Sequence, residues 1–368
     1  MDILEKTQRL PSFISTAVGS IPHTRVEEGV ELIFDSLPTA PHAPQLSRAD
    51  PREQMWIQFT EGLPGFRVDL TNLNYYFDTS EDSVSQAEKF FASYLDVMEG
   101  GPVEDFAVGP DYGAGIHYFL DKVRTSGRKW PVLKVQVTGP LSFALTVTDE
   151  NKKPIFYHPL FKDVAVKAMG LKAVWLLEQV KPFAENVIVF FDEPIMSAYG
   201  SSAYLGVSRT DVIEAINDVV SMVLDRGGIP GVHCCGNTDW GILMDTATTI
   251  INFDAVDYMD TMAIYSSGLE QFLGRGGILA WGVVPNTPSV VEESLSQVVA
   301  RLRTGVQLLV GSGVDPELLR RGMLVTPACG CAGLTLSETA KVYRLLAELD
   351  EQGEAIISEA FQQSSVSH

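Results

Sequence analysis

Residues 164–194 read VAVKAMGLKAVWLLEQVKPFAENVIVFFDEP. The first part, Val164–Val180, is too long for a strand and carries no proline, so it reads as a helix. The second, Val187–Phe191, is a short run of β-branched and aromatic residues, which reads as a strand. That run has no polar alternation, so both its faces are buried, as in a parallel sheet covered by helices. The alternation continues in both directions. Helical patterns recur at Asp211–Asp225 and Leu295–Gly311, and in the former Val212, Ile213, Ile216, Val219, Val220 and Val223 share one face. Strands are expected at Phe13–Val18, Phe66–Leu70, Val132–Val137, Val187–Phe191, Ile229–His233, Ile250–Phe253, Ile278–Trp281 and Met323–Thr326. Eight such runs suit a closed barrel. The rival, a doubly wound open sheet, lacks its G-x-G-x-x-G after the first strand. The expected fold is therefore α/β, a single (β/α)8 TIM barrel with an insertion after strand one. That insertion is Leu37–Gly65, with prolines at 38, 41, 44, 51 and 64. No repeat or low-complexity linker interrupts residues 1–368, which read as one domain.

The composition is that of an ordinary globular chain, and no apolar stretch reaches the ~18 residues of a membrane helix. The start, MDILEKTQRLPSF, carries acids and lacks the apolar core of a signal peptide, so a cytoplasmic location is expected. A net charge of −20, from 47 acidic against 27 basic residues, argues against nucleic acid or an anionic membrane as partner. The four cysteines, Cys234, Cys235, Cys329 and Cys331, form two tight pairs far apart. A disulfide framework scatters cysteines through a shorter chain, so these point to metal or catalysis.

Chemistry-bearing residues gather just after the expected strands. Gly19-Ser20 follows the first and Thr138-Gly139-Pro140 the third. Asp192-Glu193-Pro194 follows the fourth, and His233-Cys234-Cys235-Gly236-Asn237 the fifth. Asp254 follows the sixth, Val284-Pro285-Asn286 the seventh and Pro327-Ala328-Cys329-Gly330 the eighth. Barrels place their active sites at these C-terminal strand ends.

Side chains alternate along an extended chain, so His233 and Cys235 point one way and Cys234 the other. Cys329, from the last strand, supplies a third ligand across the barrel. Two thiolates with one imidazole select zinc, and three protein ligands with a displaceable fourth mark a catalytic site. Taken alone, a histidine beside two cysteines reads as a packed core trio; the second cysteine pair at another strand end tips the balance to metal. Cys331 competes with Cys329, which lies nearer the strand. Asp254 is the candidate fourth ligand, with Asp257 and Asp260 as alternatives. Asn237 is a candidate for orienting a zinc ligand from outside the coordination sphere, or else a helix cap.

Two acids ending a buried strand need partners, and a bound cation or substrate amine would serve, with Asp192 leading and Glu193 beside it. A helix cap followed by Pro194 explains the same residues structurally. Gly19 and Ser20 bring backbone and a hydroxyl to the rim, where a substrate carboxylate would bind; a turn that demands glycine is the plainer reading. His23 and His117 are further rim candidates, more simply read as surface or supporting histidines.

Taken in order, T-x-V-G-S-I-P, V-T-G-P-L-S, D-E-P, H-x-C-G-N-T and T-P-A-C-G, from Thr16 to Gly330, resemble the catalytic C-terminal barrel of cobalamin-independent methionine synthase. They also resemble the wider uroporphyrinogen decarboxylase-like superfamily, where H-x-C-G-N-T is similar to corrinoid-protein:coenzyme M methyltransferases. The resemblance implies a catalytic barrel in which His233, Cys235 and Cys329 bind Zn²⁺ and a thiol substrate is methylated. It places the homocysteine amine at Asp192 and the homocysteine carboxylate at Gly19-Ser20. Two departures stand out. The second, N-terminal barrel that helps hold a long folate in the full-length synthase has no counterpart here, so the expected donor is a methylcorrinoid on a partner protein or a folate. The family's glutamate after strand six is here an aspartate.

The leading expectation is thus a zinc-dependent thiol methyltransferase converting homocysteine to methionine. The alternatives are a coenzyme M alkyl- or methyltransferase, a metal-free uroporphyrinogen decarboxylase-like enzyme and a non-catalytic docking partner for a corrinoid protein. A sulfonate substrate would call for Arg25 or Arg48 at the rim. The decarboxylase reading lacks its arginine-rich N-terminal motif and leaves the cysteines without a task.

Overall fold

A computed structural model describes residues 3–204 and 206–362. Among them are nine strands: β1 (Phe13–Ser15), β2 (Phe66–Asp69), β3 (Asn74–Phe77), β4 (Trp130–Thr138), β5 (Ala184–Asp192), β6 (Ile229–Cys234), β7 (Ile250–Asp254), β8 (Ile278–Val284) and β9 (Met323–Pro327). Seven form one sheet, in the order β1-β9-β8-β7-β6-β5-β4, with every pairing parallel. The helices expected from periodicity are present as Pro159–Val180, Arg209–Asp225 and Leu295–Gly311.

The expected second barrel strand, Phe66–Leu70, lies elsewhere. Residues Phe66–Asp69 pair antiparallel with Asn74–Phe77 in a separate hairpin, and their side chains alternate between half-buried and exposed. Arg67 and Asp69 explain this, because a strand inside a parallel sheet has no solvated face to give them. The place between β1 and β4 is taken instead by residues 39–45, from the stretch expected to be an insertion. Their backbone runs parallel to both edges: Val132 N–H donates to Thr39 O, Lys134 N–H to Pro41 O, Ala43 N–H to Lys134 O, and Gln45 N–H to Gly19 O. Pro38, Pro41 and Pro44 recur every third residue, and none can donate. The ladder is therefore intermittent, and the sequence does not read as a strand. These bonds join the two edges of the sheet, which curls into a TIM-barrel-like form.

Two apolar cores result. The inner one gathers Leu10, Ile14, Val132, Ile188, Phe190, Ile229, Ile250, Ile278, Ala280 and Leu324, and it includes Ala40 from the 39–45 strip. The outer one packs the opposite strand faces, such as Val135, Val189 and Val232, against the helices. Phe190 fills the barrel centre: a Cβ at Gly231 would come within 2.5 Å of its ring, so that neighbouring position stays glycine. No helix among the described residues is long and apolar enough to cross a membrane.

The strip is pinned from outside by His42, which is fully buried. Its Nδ1 donates to Ala43 O at 2.9 Å and its Nε2 accepts from the Tyr343 hydroxyl at 2.6 Å. Burial holds this imidazole neutral by pushing its pKa down to about 3. Tyr343→Phe leaves Nε2 without a donor in a dry site. The expected cost is about 1–3 kcal/mol, seen as a lower urea midpoint at an unchanged slope.

Candidate metal centre

Parallel register puts residues from neighbouring strands on a common rung. Thr138 of β4 is level with Asp192 of β5, Asp192 with His233 of β6, and His233 with Asn252 of β7. All four face the barrel interior, at the C-terminal end of the apolar inner core. Two residues beyond His233 the chain brings Cys235 to the same side, and the loop after β9 brings Cys329. One ligand atom from each of His233, Cys235 and Cys329 lies within 4.8 Å of the other two. Two stretches of sequence, about a hundred residues apart, thus meet at one point.

The remaining cysteines turn away. Cys234 and Cys331 belong to the outer core, between sheet and helices. Burial pushes both thiols up to about 12, so at neutral pH they stay protonated. Cys235 is the opposite case. A hydrogen bond from the Cys329 thiol and the close approach of the His233 imidazole pull it well below the usual thiol range. The imidazole is near enough to the sulfur to interact but is not aligned as a regular hydrogen bond, while Cys329 is driven up by its pairing with Cys235. The pair therefore shares one proton. Burial works against a charge on His233, but Cys235 and Asp192 outweigh it and raise the imidazole.

The trio fits a metal ion. His233 Nε2 is buried and has no hydrogen-bond partner, which is costly unless something accepts its lone pair. Its other nitrogen, Nδ1, lies 2.6 Å from Asn252 Oδ1. The candidate orienting residue Asn237 is exposed and the contact falls instead to Asn252, a polar residue in the middle of the apolar run Ile250–Asp254.

Asp254 is not part of the group. Its Oδ1 accepts from Val256 N at 2.8 Å and Asp257 N at 3.1 Å, a turn that ends β7. Asp257 and Asp260 are exposed. The carboxylate is thus engaged by its own turn and lies outside the group that converges on the sulfurs. Glu193, expected beside Asp192 as a substrate contact, also has a different task. It is fully buried, and its two oxygens accept from Leu141 N at 2.9 Å and Ser142 N at 2.7 Å, capping the helix Pro140–Thr146. A Cβ at Gly139 would lie 2.2 Å from its carboxyl carbon, which is why the G-P-L-S turn starts with glycine.

Asp192 remains open to a ligand. Its Oδ1 is buried with no partner, and burial pushes the carboxyl up to about 6, against the pull of His233 and Lys134. Gly19 and Ser20 sit at the same rim. Gly19 has φ +151°, and a Cβ there would strike the Gln136 amide at 2.6 Å. Ser20 O accepts from Cys331 N at 2.7 Å, and its Oγ packs so closely on Gly330 that a Cβ there would lie 2.0 Å away. The Ser20 side chain thus packs against the glycine that follows Cys329. His23 is nearly buried, its Nδ1 unpartnered, against Gly29; His117 donates from Nε2 to Val108 O at 2.6 Å and packs on Trp175. Neither joins the trio.

Sequence reasoning missed Lys134, which lies wholly inside the barrel. Its Nζ donates to Val18 O at 2.6 Å and to Gln136 Oε1 at 3.1 Å, and it stands 4.6 Å over the Phe190 ring. Gln136 Nε2 in turn donates to Ala43 O at 2.7 Å. Polar residues two apart in V-L-K-V-Q-V were the available signal, since both must face the same way.

The fold matches solved structures. A methyltransferase from Methanosarcina mazei aligns at a TM-score of 0.55 and 12% identity, covering 95% of this chain and 98% of that one. A B12-independent methionine synthase from Shewanella sp. W3-18-1, in complex with selenomethionine, aligns at 0.55 and 15% identity, covering 93% and 98%. The chain shares their fold. No family model matches the sequence, and no curated protein matches it.

Burial lowers Lys134 to about 7, with Asp192 pulling the other way. Its folded pKa lies below the unfolded value of ~10.4, so the unfolded chain binds more protons across that window and this group makes stability rise with pH. Urea midpoints at about pH 7 and pH 9.5 should therefore move further upward in the wild type than in Lys134→Met. Equal movement would show that Lys134 is not depressed.

Proposed function

We propose that this chain is a zinc-dependent thiol methyltransferase, with His233, Cys235 and Cys329 as the zinc ligands and homocysteine as the acceptor. The observation that carries the reading is the unpartnered His233 Nε2 facing two sulfurs, with the unpartnered Asp192 Oδ1 on the adjacent strand. One imidazole and two thiolates suit zinc over harder cations. Bound zinc would make an acceptor thiolate available at neutral pH.

The chain's own residues would do the rest. Asp192, whose buried Oδ1 lacks a partner, accepts hydrogen bonds from the substrate ammonium, whose charge adds to the pull of His233 and Lys134. Ser20 and the Gly19 backbone receive the carboxylate at the rim. The acceptor sulfur forms the new bond to the methyl carbon, and the donor leaves with the electron pair of the broken bond. The donor in this reading is a methylcorrinoid carried by a partner protein or a methyl folate.

An amino-acid thiol is favoured over a sulfonate one by the charges present. The group beside the sulfurs is a carboxylate, whereas Arg25 has a 70% exposed side chain paired with Glu28 and Arg48 is exposed.

Purified protein should carry about one zinc per chain, with sulfur-rich coordination. Cys235→Ser and Cys329→Ser should lose the metal, while Cys234→Ser and Cys331→Ser should keep it; equal loss in all four would refute the ligand set. Homocysteine should add a sulfur to the zinc X-ray absorption spectrum. Asp192→Asn should retain zinc but raise the Michaelis constant for homocysteine about tenfold or more, as expected for a lost charge-assisted bond. An unchanged constant would remove Asp192 from substrate binding.

A further inference from the structure

We infer that Asn252 is the positioning residue of this centre: it fixes His233 in the one tautomer able to coordinate and ties the strand bearing His233 to the strand leading to Cys329. The inference rests on the metal-binding reading above for its consequence, though its geometry stands without it.

Asn252 is fully buried in β7, level with His233 on β6 and Ala280 on β8. Its amide makes three contacts: Nδ2 to Ala280 O at 3.0 Å, Nδ2 to Thr326 Oγ1 at 2.9 Å, and Oδ1 to His233 Nδ1 at 2.6 Å. The Ala280 carbonyl can only accept, so the amide nitrogen must face it. The amide oxygen must then face the imidazole. An oxygen only accepts, so His233 Nδ1 carries the proton. In the neutral ring that leaves Nε2 with a free lone pair, and Nε2 is the buried atom with no partner, beside Cys235 and Cys329. The orientation of a single amide thus decides which nitrogen of His233 is available.

The same side chain spans the distance between ligands. His233 is on β6, while Thr326 is on β9, three residues before Cys329. Asn252 joins the two across the barrel interior through side chains alone, in addition to the ladders that connect β6 to β9 through β7 and β8. A leucine of similar volume would fill the space but leave His233 Nδ1 without its acceptor and remove the side-chain bonds to Ala280 O and Thr326 Oγ1.

Two measurements test this. The first is the tautomer of His233 in metal-free, ¹⁵N-histidine-labelled protein at alkaline pH, its signals assigned by their loss in His233→Gln. The proton should sit on Nδ1. The second is zinc affinity by competition with a chromophoric chelator. Asn252→Leu should bind zinc about 10–100-fold more weakly while its circular dichroism remains folded. Asn252→Asp keeps an acceptor for Nδ1–H, and the Thr326 hydroxyl can turn to donate to the second oxygen; the bond to Ala280 O is lost, which lowers stability but leaves the contact to the imidazole. That variant should retain the wild-type tautomer and recover most of the affinity. A wild-type proton on Nε2, a leucine variant as tight as wild type, or an aspartate variant that loses the Nδ1–H tautomer would each overturn the inference. Should the leucine variant fail to fold, the wild-type and aspartate tautomers decide. A chain that holds no zinc would sink the methyltransferase reading and leave the tautomer result to stand or fall by itself.

Discussion

Polar groups inside a barrel have to be satisfied by one another, and that requirement governs the upper end of this one. Below Asp192, His233 and Asn252 the inner core is built largely of isoleucines and Phe190, which offer these polar groups no partner. Each group can find partners only sideways, from adjacent strands, or upward, from the loops. Asn252 finds all of its partners sideways. His233 finds one sideways and leaves Nε2 for the loops that carry Cys235 and Cys329. Asp192 leaves Oδ1 open. The unsatisfied atoms of the rung point to where a metal and a substrate would go, because a folded chain keeps such atoms only at a cost.

The cysteines illustrate how a sheet sorts identical residues. In each pair one cysteine faces the barrel interior and its partner or near neighbour faces the helices. Interior cysteines meet an imidazole and each other, and one of them is held as a thiolate. Outer cysteines sit in the apolar layer between sheet and helices, where burial keeps them protonated. The same chemical group becomes a ligand or a piece of packing according to which face the pleat gives it.

Charge inside the barrel is balanced as well. Lys134 contributes a cation whose donors go to Val18 O and Gln136, and Gln136 reaches Ala43 O on the strip. Through these contacts a buried lysine braces the Gly19-Ser20 turn and the 39–45 strip, while its field acts on Asp192 across the rung. The rim that receives a substrate in the proposed reaction is therefore supported by the group that tunes the adjacent carboxylate. Glu193 makes a comparable contribution from the other side, since its carboxylate anchors the helix that begins at Pro140.

The sequence alone determined the parallel strand–helix alternation and the convergence of His233, Cys235 and Cys329. Both follow from local rules: uninterrupted apolar runs demand burial on two faces, and period-two alternation separates Cys235 from Cys234. Only the tertiary structure decided which residues complete the arrangement. The segment between β1 and β4 is a proline-punctuated strip, not Phe66–Asp69, because inter-strand bonds can be made intermittently and leave no periodic signature. The orienting asparagine is Asn252, not Asn237, and Asp254 closes a turn instead of reaching the sulfurs. Those choices depend on the register between strands distant in sequence and on which buried lone pairs are already taken. Neither quantity is written in the spacing of residues along one strand.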